Sequence, residues 1–158
     1  MIPIISYNYG AQEPDRMKRT MKLGVMVGCS IMVFCLAIMQ VFPGQILKIF
    51  DATDEMLLMG IPAVRIMSTA FIFAGFSVTC SGMFQAVGKG VYSMIVSMAR
   101  QLFVILPVAY FLSKAMNSVN GVWAAFPIAE VFSVIISTIF LLRVYKKIVK
   151  PMESVQRD

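Results

Sequence analysis

A chain of 158 residues that is 59% hydrophobic, with a mean hydropathy of +0.81, has too little interior volume to hide its apolar side chains from water. Its formal charge of +6 sits at particular connections rather than along a basic face, which excludes a nucleic-acid partner. There is no histidine, and Cys29, Cys35 and Cys80 stand singly in apolar runs, so neither a zinc-ligand cluster nor a C-x-x-C redox motif is present.

The chain opens on Met1–Gly10, too short for a span but shaped like the last turns of one, with Tyr7-Asn8-Tyr9-Gly10 as a helix exit. No charged n-region and cleavable apolar core precede the first span, so no signal peptide is expected and the chain reads as starting inside an element. Residues 11–21 form a polar, basic connector, expected as an amphipathic approach helix at the cytoplasmic surface after Pro14.

From Lys22 to Lys48 no intervening residue is charged. The run Leu23–Pro43 is about 30 Å long as a helix, enough to cross a bilayer's hydrocarbon core. Gly24 and Gly28 in it make a G-x-x-x-G step that allows a close helix neighbour. Pro43-Gly44 ends or kinks this span, and Asp51-Ala-Thr-Asp54 reads as the capped start of the next. The second span is expected as one helix from Asp54 to Val87, containing Pro62 and an Arg65 that snorkels to the outer interface. A third runs from about Val91 to Leu112 and a fourth from about Val119 to Val144. The tail from Met152 to Asp158 is polar and expected to fray.

The fold class is therefore all-α: a polytopic membrane protein with four transmembrane helices plus the stub of a fifth. The four-helix unit occupies 22–150 and the tail 151–158. Arg16, Lys18, Arg19 and Lys22 precede the first span, Lys89 follows the second, and Arg143, Lys146, Lys147 and Lys150 follow the fourth. Asp51, Asp54 and Glu55 lie on the other side. This alternation predicts a multi-pass protein of the plasma (inner) membrane with both ends of the four-span unit in the cytoplasm.

Polar residues inside the spans are the candidate functional ones. Ser77, Ser81 and Gln85 recur at i, i+4 and i+8 and make one stripe, which Thr79 and Cys80 broaden. The stripe reads either as hydroxyls bonded back to their own helix or as the lining of a substrate pathway, and the Gln85 amide needs partners in a dry setting. Arg100 and Glu130 are the charges deepest in the third and fourth spans, about 20 and 14 Å from the outer turn at the helical rise. Arg100 either snorkels past Ser97 and Ser93, or clamps Glu130, or serves an ion or substrate directly. Pro107 and Pro127 are expected to kink their helices. Fourteen methionines read as filler against lipid or as an adaptable cavity lining. No nucleophile–base pair, metal motif or phosphate loop supports an enzyme.

The segments Pro3-Ile-Ile-Ser-Tyr-Asn-Tyr-Gly-Ala11, Phe84-Gln-Ala-Val-Gly-Lys-Gly90 and Gly121-Val-Trp-Ala-Ala-Phe-Pro-Ile-Ala-Glu130 occur in a telling order. Together with Arg100-Gln-Leu-Phe leading to Pro107 and Tyr110, they resemble the carboxy-terminal lobe of the multidrug and toxic compound extrusion (MATE) transporters. The resemblance covers essentially the whole chain. It implies a twelve-helix transporter of two six-helix lobes, of which this chain supplies the end of helix eight and helices nine to twelve. The implied function is secondary active export of cationic or amphipathic compounds in exchange for Na⁺ or H⁺. A lipid-linked oligosaccharide flippase of the same superfamily and a stand-alone membrane subunit are the alternatives. Implied partners are membrane lipid, an amino-terminal lobe and small amphipathic or cationic substrates. The family's acidic cation ligand in helix ten has no counterpart in Ile66–Gly88, which places the coupling-ion ligands in the other lobe; no other cofactor is implied. Glu130 matches a position in helix twelve where the family often has an acid.

Overall fold

The computed structural model describes residues 1–155, and among them every regular element is helical. In order these are α1 (Ile2–Gly10), α2 (Pro14–Val41), α3 (Pro43–Ile49), α4 (Asp54–Ser68), α5 (Phe71–Ala86) and α6 (Gly90–Met98). A π-helical segment (Ala99–Ile105) then leads without a break into α7 (Leu106–Met116). Then come α8 (Asn120–Val144), a second π-helical segment (Tyr145–Val149) and α9 (Lys150–Val155). Pro14–Val41, Gly90–Met116 and Asn120–Ser154 are each long and apolar enough to cross a bilayer, with mean hydropathies of 2.2, 1.8 and 2.1 over an 18-residue stretch of each. The bent pair α4–α5, taken together as one broken helix, passes the same test of length and composition.

Three sequence expectations are corrected. The connector 11–21 is not a separate surface helix. Pro14 starts α2, and the stretch from Asp15 to Lys22 contains no glycine or second proline, so the same helix runs on to Val41. The second span is not one straight helix either. α4 and α5 meet at Thr69–Ala70 with their axes 53° apart. Pro62 is not the cause, since it lies inside α4. The break is held by hydroxyls: Ser68 Oγ donates to the Arg65 carbonyl at 3.1 Å and Thr69 Oγ1 to that of Ile66 at 2.7 Å. From α2, Gln40 Nε2 adds bonds to the Arg65 carbonyl (2.8 Å) and to Ser68 Oγ (3.1 Å). Carbonyls freed by the bend thus find donors where water is absent.

The tail is the third correction. Residues 156–158 lie outside the described residues, but Met152 is buried and α9 continues the last span. Lys18 Nζ, in the basic start of α2 ahead of the uncharged run, bonds Glu153 at 2.8 Å and Asp15 at 2.6 Å. These bonds, Asp15 first and then Glu153, hold the Lys18 ammonium above the usual lysine range. A raised lysine contributes in full below its ordinary pKa and loses the contribution progressively as pH rises from there through the raised value, so this latch persists through neutral and mildly alkaline pH.

The prolines of the third and fourth spans do not break them. Pro107 sits in the first turn of α7, directly after the π-helical segment. The wider turn takes up the missing donor and the ring's clash with the preceding turn. Pro127 leaves α8 unbroken.

The core lies toward the end bearing the basic clusters. Ile5, Met17, Cys80, Phe84, Val144 and Val149 pack there, nearly inaccessible. Phe84 meets Tyr92 and Phe140 edge-on at 6.0 and 6.3 Å, and those two rings stack at 4.5 Å. Elsewhere Phe34, Leu58, Phe103 and Phe111 point outward, as a lipid-facing surface requires. On the seam between α2 and α5 the backbones come close. A Cβ built on Gly75 would stand 2.9 Å from the Cys29 backbone, and one on Gly28 would stand 3.1 Å from Thr79 Oγ1. The G-x-x-x-G step is thus part of a real packing seam.

Because backbone cannot yield as a flexible side chain can, Gly75→Ala is expected to destabilise the fold by about 1–3 kcal/mol. Thermal unfolding in detergent should show this as a lowered Tm, while Gly10→Ala, where nothing lies within 4 Å, should leave Tm unchanged.

Candidate functional site

The serine stripe of α5 is set by helical geometry, and the fold gives it a facing wall. Across the Gly88 turn (φ +72°), α6 returns beside α5 and carries Ser93, Ser97 and, at the start of the π-helical segment, Arg100. Between the two walls lies a cavity of about 310 Å³, closed on one side by Ile2 of α1. Its polar lining is Ser77, Ser81 and Gln85 from one wall and Ser93, Ser97 and Arg100 from the other. Gln85 Nε2 donates to Ser93 Oγ at 3.2 Å, which ties the walls together, although Gln85 itself is exposed rather than in the dry setting expected from sequence.

Of the residues singled out from sequence, Ser77, Ser81, Gln85 and Arg100 thus meet on one lining. Glu130 does not line it. It stands behind Arg100 on α8, its side chain 6% exposed, and accepts a 2.9 Å bond from Arg100 Nη1. The clamp is therefore the arrangement adopted, and the snorkelling alternative is not. Two isolated charges at this depth would cost about 2.5–3.5 kcal/mol each on insertion scales, and pairing removes most of that. The Arg100 side chain remains 34% exposed. Its Nε and the second carboxylate oxygen of Glu130 have no bonding partner among the described residues.

Two other expectations change. Thr79 does not broaden the stripe: Oγ1 donates to the Gly75 carbonyl at 2.8 Å, on the seam with α2. Cys80 is fully buried in the core. Conversely, Ser93 and Ser97 belong to the site. Their i, i+4 spacing with Arg100 three residues later is a visible signal, but sequence alone makes them no more than a path for a snorkelling arginine. Ser133 and Ser137 continue the Glu130 face of α8 at i+3 and i+7, buried and without bonding partners among the described residues. A second, apolar cavity of about 440 Å³ lies toward the acidic connection, with Met56, Met59 and Met67 beside Trp123. This cavity is an open groove, since Met56 and Met59 on its lining are themselves exposed.

The bundle thus carries a small polar cavity between α5 and α6, with Arg100 on its lining and the buried Glu130 behind that arginine. The MatE family model matches residues 1–111. The chain belongs to the MatE family. Members of this family are transporters rather than enzymes. It is 25% identical over 124 residues to the multidrug export protein MepA of Staphylococcus haemolyticus, and 27% identical over 139 residues to the probable multidrug resistance protein YoeA of Bacillus subtilis. Those matches take in 78% and 87% of this chain but only 27% and 30% of the relatives. The fold is shared with a MATE family transporter of the MOP superfamily solved in an inward-facing conformation, at a TM-score of 0.85 and 18% identity over 97% of this chain. It is also shared with the MATE multidrug transporter DinF-BH, at a TM-score of 0.81 and 32% identity over 94% of this chain. The chain spans 35% and 33% of those two structures, so as a MatE chain it corresponds to about a third of a transporter.

Removing only the carboxylate, by Glu130→Ala, strands a partly buried guanidinium and is expected to cost about 3–5 kcal/mol of unfolding free energy. Arg100→Gln combined with Glu130→Gln keeps a neutral hydrogen-bonded pair and should recover most of it. Denaturant titration of the purified protein checks both values.

Proposed function

We propose that the chain acts as part of the carboxy-terminal lobe of a secondary active multidrug exporter in the plasma (inner) membrane, with both ends of its four-span unit in the cytoplasm. The observation that carries this reading is the cavity between α5 and α6, the place where an otherwise apolar bundle gathers serine, glutamine and arginine side chains. Such a wall, completed by an amino-terminal lobe, gives a site between two halves that rock about it. The names of the MepA and YoeA relatives support drug export, and basic residues at alternate connections support the orientation.

Coupling is by Na⁺ or H⁺ antiport, with the ion's ligands outside this chain. Glu130 is engaged by Arg100, and among the described residues no group of three His, Cys, Asp or Glu side chains could hold a metal ion. Ser77, Ser81 and Gln85 contact small amphipathic or cationic compounds, and Arg100 with Glu130 fixes the wall. The flippase alternative would need several cations to hold a lipid-linked pyrophosphate, whereas among the described residues Arg100 is the one on this lining. A stand-alone subunit would leave the large apolar faces of α2 for lipid alone.

Expressed by itself in a drug-hypersensitive bacterium, the chain is expected to leave accumulation of a fluorescent fluoroquinolone, which carries both an amine and a carboxylate, unchanged. Fused to an amino-terminal lobe it should lower accumulation, and filling the cavity by Ser81→Leu in that fusion should abolish the gain. Export by the chain alone, or a Ser81→Leu fusion as active as its parent, would refute the proposal.

A further inference from the structure

The lining of the α5–α6 cavity has charge of only one sign. The Ser81, Ser93 and Ser97 hydroxyls and the Gln85 amide serve a donor or an acceptor ligand equally well, while the buried Ser77 hydroxyl donates back to the Phe73 carbonyl at 3.5 Å. Arg100 does not: it offers only N–H donors, and among the described residues no aspartate or glutamate stands on the lining to receive a ligand's ammonium. Glu130 is screened from the cavity by its burial and occupies Nη1 of the guanidinium, which carries five N–H bonds in all. The Arg100 side chain is 34% exposed with its Nε buried, so the donors left for a ligand are those of Nη2 and the second hydrogen of Nη1. A planar carboxylate is the group whose paired oxygens fit that fork.

We infer that this cavity receives the anionic end of the exported compound, a carboxylate bonded to Arg100, while any cationic end of the same compound is held elsewhere in the transporter. The inference rests on the export reading above and narrows its substrate class. Ser81 and Ser97, on opposite walls, flank the bound carboxylate. Glu130 acts as a tuning residue. Its charge competes with the ligand's for the same guanidinium, so it weakens binding and permits release.

The test uses the full chain in lipid nanodiscs and a matched pair of fluorescent probes, dansyl-aminoundecanoate and dansyl-diaminoundecane. They share an apolar body and differ in the sign of the terminal charge. The carboxylate probe is expected to bind at least about fivefold more tightly than the amine. Glu130→Gln keeps the side-chain shape and an acceptor for Nη1 while removing the competing charge. It should tighten the carboxylate probe about tenfold and leave the amine probe unimproved. The pair Arg100→Gln with Glu130→Gln should erase the preference. Ser97→Asp, which sets a carboxylate on the same lining three residues from Arg100, should abolish the preference for the carboxylate probe.

A purely structural arginine would predict none of these changes. Equal or stronger binding of the amine, a Ser97→Asp protein with unchanged preference, or binding of neither probe overturns the inference. None of those results touches the export reading, which stands or falls on drug accumulation in cells.

Discussion

Everything polar in this protein is arranged around one constraint: within a bilayer there is no water to satisfy a buried charge, hydroxyl or freed carbonyl, so the fold must do it. The Arg100–Glu130 bond is the strongest expression of that constraint. It joins the third span to the fourth at mid-depth, and it holds α6 and the π-helical segment in the position that closes the cavity against α5. Without a partner neither charge belongs there. With one, a guanidinium can be kept partly open to a ligand.

The same demand explains where the bundle bends. A helix break in a membrane exposes carbonyls, and the break between α4 and α5 occurs where Ser68 and Thr69 supply hydroxyls and Gln40 reaches across from α2. Beyond the break the chain can press α5 against α2, because Gly75 and Gly28 remove the side chains that would hold the backbones apart. That seam draws Thr79 toward α2 and leaves Ser77, Ser81 and Gln85 on the open side of the same helix. Packing on one face of α5 thereby selects which polar residues are free for function on the other.

Relatives of this chain are transporters about three times its length, and the exposed apolar faces of α2 and α7 are consistent with surfaces that meet lipid or another lobe. The proposed role divides labour accordingly. This part contributes a polar wall whose charge has one sign, and the remainder of the transporter supplies the ion coupling and the opposite wall.

Span positions, the all-helical class and the family were legible in the sequence, because uncharged runs of bilayer length and the order of the Phe84–Gly90 and Gly121–Glu130 motifs are local properties of the chain. The stripe on α5 was equally legible, since i, i+4, i+8 spacing is fixed by the helical period. The bend at Thr69–Ala70 was not, because hydroxyl capping depends on Gln40 arriving from a distant helix. Nor was the placement of Thr79 and Cys80 away from the cavity, which follows from the approach of α2. Sequence could place Arg100 and Glu130 at compatible depths but left three fates open for the arginine. Only the tertiary packing of α8 behind the π-helical segment decided for the ion pair, because depth is set by counting residues whereas direction is set by what the neighbouring helix presents.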